Sequence, residues 1–261
     1  METIASRKNP YIKELYAVKR AGKKSPLCLI EGYKLICEAQ KSGVTVKSVL
    51  ISDMYCGEVP SFGAGAVRMI KVNDAIIDML SSARAPQGII ALIEKKPAHD
   101  FGLLGHTRGT YIVLDGVADP GNVGTIIRSA EAFGAAGAVM CGACADVYND
   151  KTLRATMGSA FRLPLYFADD TADAVRKLKN AGARVYAAAL KKDARRLGDT
   201  DFPGFSAFVI GNEARGIPET VIGECDDAII IPMSGETESL NAAVSASVIL
   251  WEAARRANNG K

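Results

Sequence analysis

The chain has 261 residues, of which 48% are hydrophobic and 23% charged, and its formal net charge is +3. This composition is typical of a globular chain that forms one large domain or two modest ones. No apolar run approaches the roughly 18 residues of a membrane span, and the charged N-terminal residues do not resemble a signal peptide. We therefore expect a cytoplasmic protein with no membrane partner.

The first 24 residues are basic, with Glu2 and Glu14 as their only acidic residues. Such an excess of positive charge suits either a solvated helix face or a contact with nucleic acid. The candidate nucleic-acid contacts are Arg7, Lys8, Lys13, Lys19, Arg20, Lys23 and Lys24.

Residues 1–95 have the pattern of a small α/β domain. Ile12, Leu15 and Tyr16 are spaced as on one face of a helix. Two further helical segments alternate with short strand-like runs, whose sequences are LCLIE, VKSVLIS, VRMIKV and GIIALIE. Pro97 and several glycines then indicate a linker over residues 96–109.

Residues 110–261 form a second domain in which strands and helices alternate again. The predicted strands are YIVLD, GAVMC, LPLYF, RVYAAAL, FSAFVIG and AIIIPM. Strands that are apolar along their length and alternate with helices indicate a mostly parallel sheet, covered on both faces. A ligand is expected beyond the carboxyl ends of such strands.

A final long helix is predicted from about Glu238 to Arg256. The residues predicted to face the core are Leu240, Val244, Val248 and Trp251. Others are small enough for a second backbone to pack very close, namely Ala242, Ala243, Ser245, Ala246 and Ser247.

Cys141 and Cys144 form a C-x-x-C pair without a second pair to complete a zinc site. The two histidines, His99 and His106, lie together far upstream in the linker. Buried structural thiols are therefore favoured over a metal or redox site, and we expect no metal.

The stretch from Leu114 to Gly134 looks like a nucleotide-binding loop that leads into a helix. Gly116 and Gly121 match the first glycines of a P-loop, but Asn122 stands where its lysine should be. The dinucleotide fingerprint also fails, because Asp119 occupies the place of its first glycine. The loop therefore fits neither familiar phosphate-binding signature.

The helix after this loop has an apolar stripe and a polar face. The stripe is Val123, Ile126, Ile127, Ala130 and Phe133, with Gly134 as the cap. Thr125, Arg128 and Glu131 follow one another at i, i+3 spacing off the stripe, which places a guanidinium beside a carboxylate. A simple surface ion pair is the alternative to a functional role.

Two later loops have comparable polar content. Gly211 and Gly216 bracket Asn212, Glu213 and Arg215, and glycines at these positions allow a close backbone approach or simply a turn. The other loop, SGETESLN, leads into the final helix.

In their order and in their residues, these three loops resemble the three motifs of the SpoU (TrmH-like) branch of the SPOUT RNA methyltransferases. DPGNVGTIIRSAEAFG resembles motif 1, IGNEARGI motif 2 and IPMSGETESLNAAVSAS motif 3, while LRATMGSAFRLPL resembles the segment between the first two. The N-terminal LIEGYKLICEA is similar to the family's small substrate-binding domain of the L30e type. The resemblance covers most of the chain.

The resemblance implies an α/β fold with a deep trefoil knot, a homodimer and S-adenosyl-L-methionine as cofactor. It implies transfer of a methyl group to the ribose 2′-hydroxyl of a structured RNA, ribosomal RNA before transfer RNA. The implied cofactor-binding residues are Gly211, Glu213, Ile231, Leu240 and Asn241, and the implied catalytic residues are Asn122, Arg128, Glu131 and Ser239. The chain departs from the family pattern at Ala242 and Ser247, where valine and glycine are common.

Three alternatives remain open from the sequence. A non-catalytic RNA-binding protein of the same fold is one, although Asn122, Arg128, Glu213 and Asn241 are all present. A SPOUT enzyme that methylates a base is the second, and a nicotinamide or ATP enzyme, which would need a glycine fingerprint, is the third. Arg128 is expected to act as a clamp on phosphate and oxyanion or as a base.

Overall fold

The structure is a computed structural model that describes residues 1–63, 67–235 and 239–259, with the backbone alone for residues 258 and 259. The chain divides into two compact units. The first comprises Met1–Pro97 and Tyr148–Phe161, and the second Ala98–Val147 and Arg162–Lys261. The sequence predicted Tyr148–Phe161 within the second domain, whereas the structure packs this segment into the first unit.

The elements follow the predicted order. The strands are β1 (Glu2–Ile4), β2 (Leu27–Glu31), β3 (Val46–Ser52), β4 (Arg68–Val72), β5 (Ile89–Glu94), β6 (Thr110–Asp115), β7 (Gly137–Cys141), β8 (Leu165–Ala168), β9 (Arg184–Ala188), β10 (Arg195–Arg196), β11 (Ser206–Ile210) and β12 (Asp227–Ile230). The helices are α1 (Pro10–Ala21), α2 (Tyr33–Lys41), α3 (Asp74–Leu80), α4 (Pro120–Ala132), α5 (Asp150–Thr156), α6 (Thr171–Asn180), α7 (Glu219–Glu224) and α8 (Ala242–Asn259). The very short strands β1 and β10 have no counterpart in the sequence prediction.

The first unit is built on a mixed sheet. Over its described residues this sheet has five strands in the order β1-β4-β3-β5-β2. Strands β1 and β3 run parallel to β4, while β2 and β3 run antiparallel to β5. Helix α1 buries Ile12 and Leu15 in the apolar core of this unit.

The second unit is built on a parallel sheet. Its described residues form seven strands in the order β10-β12-β9-β11-β6-β7-β8, and every paired neighbour is parallel. The predicted parallel sheet is therefore confirmed. Nowhere in the described ranges does a helix combine the length and apolarity that crossing a membrane requires.

Helix α8 buries a different face from the predicted one. Val244 and Trp251 are 48% and 51% exposed, so the prediction that they face the core is wrong. The buried residues are Ala243, Ala246, Ile249, Leu250, Glu252 and Ala253. The small residues allow α4 to lie close, and the hydroxyls of Ser129 and Ser247 meet at 2.7 Å between the two helices.

Cys141 and Cys144 are buried in the second unit and form no disulfide. The Cys144 thiol donates hydrogen bonds to the carbonyls of Leu114 and Cys141, at 3.3 and 3.2 Å. Burial raises the pKa of Cys141 to about 12 and also raises the pKa of Cys144. This environment is that of structural thiols.

Candidate functional site

A cavity of about 420 Å³ opens at the carboxyl ends of three neighbouring strands. Ala188, Ile210 and Ile230, the last residues of β9, β11 and β12, all line it. Loops leave the sheet here because each parallel strand must connect to a helix. The cavity lies where the parallel sheet predicted a ligand site.

The loop before α4 enters the helix without a separate turn. Pro120 and Gly121 both belong to the first turn of the helix. Asp119 is the N-cap, and its carboxylate accepts a hydrogen bond from the amide of Asn122 at 2.9 Å. This cap fixes the position from which the Asn122 side chain projects.

Glu213 binds the loop before α4 with both carboxylate oxygens. It accepts hydrogen bonds from the amides of Ala118 and Asp119, each at 3.2 Å, and from Nδ2 of Asn122 at 2.9 Å. Partial burial raises the pKa of Glu213, but the hydrogen bonds outweigh this and leave the pKa below its ordinary value. The side chain is therefore held as a carboxylate.

Asn241 connects the third loop to the same group. Its Nδ2 donates to Oδ1 of Asn122 at 3.0 Å. Its Oδ1 caps α8 by accepting from the amides of Ala243 and Val244, at 2.9 and 3.3 Å. One chain of hydrogen bonds, Glu213–Asn122–Asn241, therefore joins all three polar loops.

Asn212 shapes the second loop, and the sequence did not indicate this role. Its Oδ1 accepts from the amides of Ala214 and Arg215, while its Nδ2 donates to the carbonyl of Gly116 at 2.8 Å. The pattern is an Asx-turn, in which an asparagine side chain accepts a hydrogen bond from the backbone amide two residues later. An asparagine in a glycine-rich loop is the sequence signal for such a turn. It ties the second loop to the first.

The glycines at positions 211 and 216 were predicted to allow a close backbone approach. In the structure, the backbones of Gly211 and Gly216 approach each other. A Cβ placed on Gly211 would lie 2.4 Å from the carbonyl carbon of Gly216. Only glycine fits at such a contact, since the neighbouring atoms are backbone.

The predicted cofactor residues line the cavity with one exception. Gly211, Glu213, Ile231 and Leu240 are in its wall, whereas Asn241 bonds to Asn122 outside the lining. Ser239, predicted to be catalytic, also lies in the wall. The structure therefore groups Ser239 with the predicted cofactor residues.

Arg128 and Glu131 lie on α4, outside the cavity lining. Arg128 is exposed and forms no hydrogen bond or ion pair with the described residues. Glu131 pairs instead with Arg162, whose Nε lies 2.9 Å from Oε1. The expectation that Glu131 stands as the ionic partner of Arg128 is wrong, because the carboxylate turns toward Arg162.

The sequence profile of the SpoU rRNA Methylase family matches residues 109–251, which is more than half of the chain. The chain belongs to the SpoU rRNA methylase family. The profile of the MRM3-like substrate binding domain matches residues 9–91.

Relatives of this SpoU-family chain align with nearly all of it. A 23S rRNA (guanosine(2553)-2'-O)-methyltransferase of Bacillus subtilis is 32% identical over 96% of this chain and 98% of its own. A 23S rRNA (uridine(2479)-2'-O)-methyltransferase of Streptomyces viridochromogenes is 31% identical over 89% of this chain and 84% of its own.

Solved structures of methyltransferases have the same fold. The AdoMet-bound rRNA methyltransferase of Sinorhizobium meliloti has a TM-score of 0.83, with 29% identity, and covers 97% of each chain. The SpoU methyltransferase AviRb of Streptomyces viridochromogenes, in complex with AdoMet, has a TM-score of 0.82 with 28% identity. It covers 97% of this chain and 100% of its own.

The SpoU-family cavity carries charged side chains that the sequence analysis missed. Lys191 and Glu219 form an ion pair of 2.8 Å in its wall, and the hydrogen bond to Glu219 raises the pKa of Lys191. Arg215, which the sequence already placed in the second polar loop, also lines it. Lys191 and Glu219 follow the carboxyl ends of β9 and β11, where ligands bind to parallel sheets. This position in the sequence could have identified them.

Two of the predicted RNA contacts in the SpoU-family chain bond to α3, and one of these two, Arg7, is also exposed to solvent. Lys19 Nζ donates to the carbonyls of Met79 and Ser81, at 3.3 and 2.6 Å, and Arg7 Nε donates to the carbonyl of Ala75 at 3.0 Å. These two cations stabilise the end and the start of α3. The side chains exposed to solvent are those of Arg7, Lys8, Lys13, Arg20, Lys23 and Lys24.

Proposed function

We propose that this protein is a methyltransferase that uses S-adenosyl-L-methionine to methylate a ribose 2′-hydroxyl of ribosomal RNA. The observation that carries this proposal is the hydrogen-bonded chain Glu213–Asn122–Asn241 beside the cavity. It joins three sequence motifs of the family into one site. The curated relatives named above methylate a ribose 2′-oxygen of 23S rRNA, as their names state.

The cavity fits the cofactor in size and chemistry. Its volume of about 420 Å³ is in the range of small-molecule sites. Ile231 and Leu240 offer apolar walls to a flat base, and Glu213 offers a carboxylate near a cationic centre. Bound there, S-adenosyl-L-methionine supplies an electrophilic methyl group. We assign its binding to Gly211, Glu213, Ile231, Leu240 and Asn241.

Arg128 is assigned to the RNA side of the reaction. A guanidinium group offers hydrogen-bond donors and no acceptor, so it does not suit the role of the base that removes the hydroxyl proton. It instead binds a phosphate and stabilises the negative charge that develops on the 2′-oxygen. Asn122 positions Glu213 and Asn241, Ser239 contributes a hydroxyl from the cavity wall, and Glu131 orders the α4 surface through Arg162.

A homodimer is part of the proposal. Val244 and Trp251 lie seven residues apart on α8 and are about half exposed, at 48% and 51%. Large apolar side chains on one helix face favour burial against a second copy. This surface adjoins α4, which carries Arg128, through the contact between Ser129 and Ser247.

The first unit is assigned to RNA recognition as an L30e-like domain, supported by its match to a substrate binding domain and by the exposed cations of α1. A trefoil-knotted path through the second unit is also proposed, in keeping with family membership. A cytoplasmic location completes the proposal.

The decisive experiment compares ribose methylation across ribosomal and transfer RNA from cells with and without the gene. Loss of one 2′-O-methyl mark, restored by the purified protein and S-adenosyl-L-methionine on unmodified RNA, is the expected result. Loss of a base methyl group would contradict the ribose assignment. RNA binding without any methyl transfer would instead identify a non-catalytic protein of the same fold.

A further inference from the structure

The exposed face of α1 presents an aromatic ring between two cations. Tyr16 is 41% exposed, and Lys13 and Arg20 are exposed three residues before and four residues after it. Residues at these spacings share one helix face. Lys13 and Arg20 therefore flank the ring along the helix, with about 10 Å of axial rise between their backbones.

The Tyr16 ring has no polar or aromatic partner among the described residues, unlike another tyrosine of the same helix. The hydroxyl of Tyr11 donates to Ser48 at 2.7 Å, and the guanidinium of Arg68 lies 4.2 Å from the centre of its ring. Tyr16 has no hydrogen bond, ring contact or cation contact within the described part of the chain. An aromatic ring stabilises a complex when another group stacks on its face. An exposed ring next to cations therefore suits an anionic ligand that has a flat group.

The cations beside Tyr16 are also available. Lys19, three residues after Tyr16, is not available in this way, because its ammonium group is bound to the carbonyls of Met79 and Ser81. Lys13 and Arg20 make no side-chain hydrogen bond or ion pair with any described residue. Between Pro10 and Lys24 the single acid is Glu14, so the local potential favours an anion.

An unpaired RNA nucleotide matches this arrangement. Proteins bind single-stranded RNA by stacking bases on aromatic rings while cations contact the adjacent phosphates. Paired bases in a duplex cannot present a face to a side chain on a helix surface. The geometry therefore favours a loop, a bulge or a strand end over a continuous helix.

We propose that Lys13, Tyr16 and Arg20 form a binding site for an unpaired nucleotide of the RNA substrate. The Tyr16 ring stacks on the base, and the two cations bind the phosphates on either side. This site rests on the proposed function in one respect, that the substrate is RNA. It anchors the RNA through the first unit and takes no part in the methyl transfer.

The test measures binding of a short single-stranded RNA of mixed sequence to the full-length protein, with a duplex of the same sequence as comparison. Tyr16→Ala is expected to weaken single-strand binding by roughly tenfold, within the range for losing one base–aromatic stack. Tyr16→Phe keeps the ring and is expected to bind normally. Lys34→Gln, an exposed lysine on α2, is the control for a change elsewhere on the unit.

The salt dependence separates stacking from charge. The double variant Lys13→Gln/Arg20→Gln is expected to lower the slope of log K against log salt by about 1.4, or about 0.7 for each lost phosphate contact. Tyr16→Ala is expected to leave that slope unchanged. Circular dichroism of each variant should match the wild type, because the three side chains are exposed.

Normal single-strand binding by Tyr16→Ala would overturn this proposal, and so would equal weakening of single-strand and duplex binding. An absence of single-strand binding by the wild type would also overturn it. None of these results touches methyl transfer, which is measured separately on ribosomal RNA. Failure of the proposed function would instead appear as an absence of transfer by the wild type.

Discussion

Asn122 and Asn241, which are 119 residues apart in the chain, join their side chains by a hydrogen bond of 3.0 Å. Asn122 also donates to Glu213 at 2.9 Å, so a single amide uses its donor on one loop and its acceptor on another. Sequence similarity assigns one side of the site to catalysis and the other to cofactor binding. Direct hydrogen bonds therefore connect these two sides.

Replacing Asn122 with aspartate should make cofactor binding depend on pH. In the wild type the pKa of Glu213 is below its ordinary value, so the carboxylate stays ionised at pH values where an ordinary glutamate would begin to take up a proton. Asn122→Asp replaces the amide that donates to Glu213 at 2.9 Å with a second carboxylate. Two carboxylates at this distance repel each other unless they share a proton, so the pKa of the pair is raised. Calorimetry should show weak binding at neutral pH that improves toward pH 5, with a flat wild-type profile.

The matched control for this change is Asn149→Asp, which alters the N-cap of α5 and retains a capping oxygen. Its cofactor binding should follow that of the wild type. A flat pH profile for Asn122→Asp would contradict the coupling.

Arg128→Lys should slow methyl transfer without affecting cofactor binding. Lysine keeps the charge but loses the planar fork that binds phosphate and oxyanion together. Turnover should fall by roughly 10²-fold, the scale for one preorganised oxyanion donor. Asn241→Ala should show the opposite signature, with weakened S-adenosyl-L-methionine binding. Single-turnover assays and calorimetry measure the two quantities.

Arg176→Lys, an exposed helical arginine paired with Glu224, is the control for the Arg128 change. It should retain normal turnover. If Arg128→Lys were also fully active on its true RNA, Arg128 would be an ordinary surface residue.

Gly211→Ala should disrupt the cavity loop. The new methyl group would lie 2.4 Å from the backbone carbon of Gly216, so the strand end or the loop has to move. We expect a loss of about 1–3 kcal/mol in the free energy of unfolding, typical of overpacking, and at least tenfold weaker cofactor binding. Urea denaturation and calorimetry test both, with Gly223→Ala as control because its Cβ would meet no atom within 4 Å.

The single tryptophan should report on dimer formation. Trp251 is 51% exposed in one protomer, and burial against a second copy would shift its emission to shorter wavelength. Sedimentation should show about twice the 27.6 kDa chain mass. Val244→Glu should yield monomers with red-shifted emission, whereas Val59→Glu, at a similarly exposed valine, should not. A fully active wild-type monomer would refute the dimer.

Glu252 should make the second unit sensitive to acid. Hydrogen bonds from Arg255, and then from Arg256, outweigh the cost of burial and lower its pKa from 4.5 to about 2. A lowered folded-state pKa means that the stabilisation is complete above pH 4.5 and is lost as the pH falls toward 2. Glu252→Gln should cost about 1–3 kcal/mol at neutral pH, and this cost should shrink as the pH falls through about 2.

Urea denaturation over this pH range measures the Glu252 effect. Glu219→Gln removes an ion pair in which the acid is 78% exposed, and it should change stability by less than about 1 kcal/mol. Parallel pH profiles for the wild type and Glu252→Gln would show that the lowered pKa is not present.

The regular elements of the fold were predictable because local pattern determines them. The strands of the second unit are apolar throughout, and α4 has an apolar stripe that ends at Gly134, whose φ is +70°. Strand β10, with two residues, is too short to produce any pattern. The face of α8 was mistaken because large apolar side chains were taken to be buried, whereas small ones were needed against α4.

The site was predictable in its residues but not in its contacts. Similarity of motif identified Asn122, Glu213 and Asn241, yet nothing in the spacing indicates that one amide bonds to both of the others. The pairing of Glu131 with Arg162 was equally hidden, since it joins α4 to a residue 31 positions away. Such contacts depend on tertiary packing, which periodicity within one element does not report.

The placement of Tyr148–Phe161 in the first unit means that the chain leaves the second unit and re-enters it midway. Leu153 and Thr152 are fully buried in this excursion, so a fragment that begins after the linker would expose them to water. Recombination between homologues at the linker alone would give chimeras with mismatched cores. Any exchange of the N-terminal unit, in evolution or in the laboratory, has to carry residues 148–161 with it.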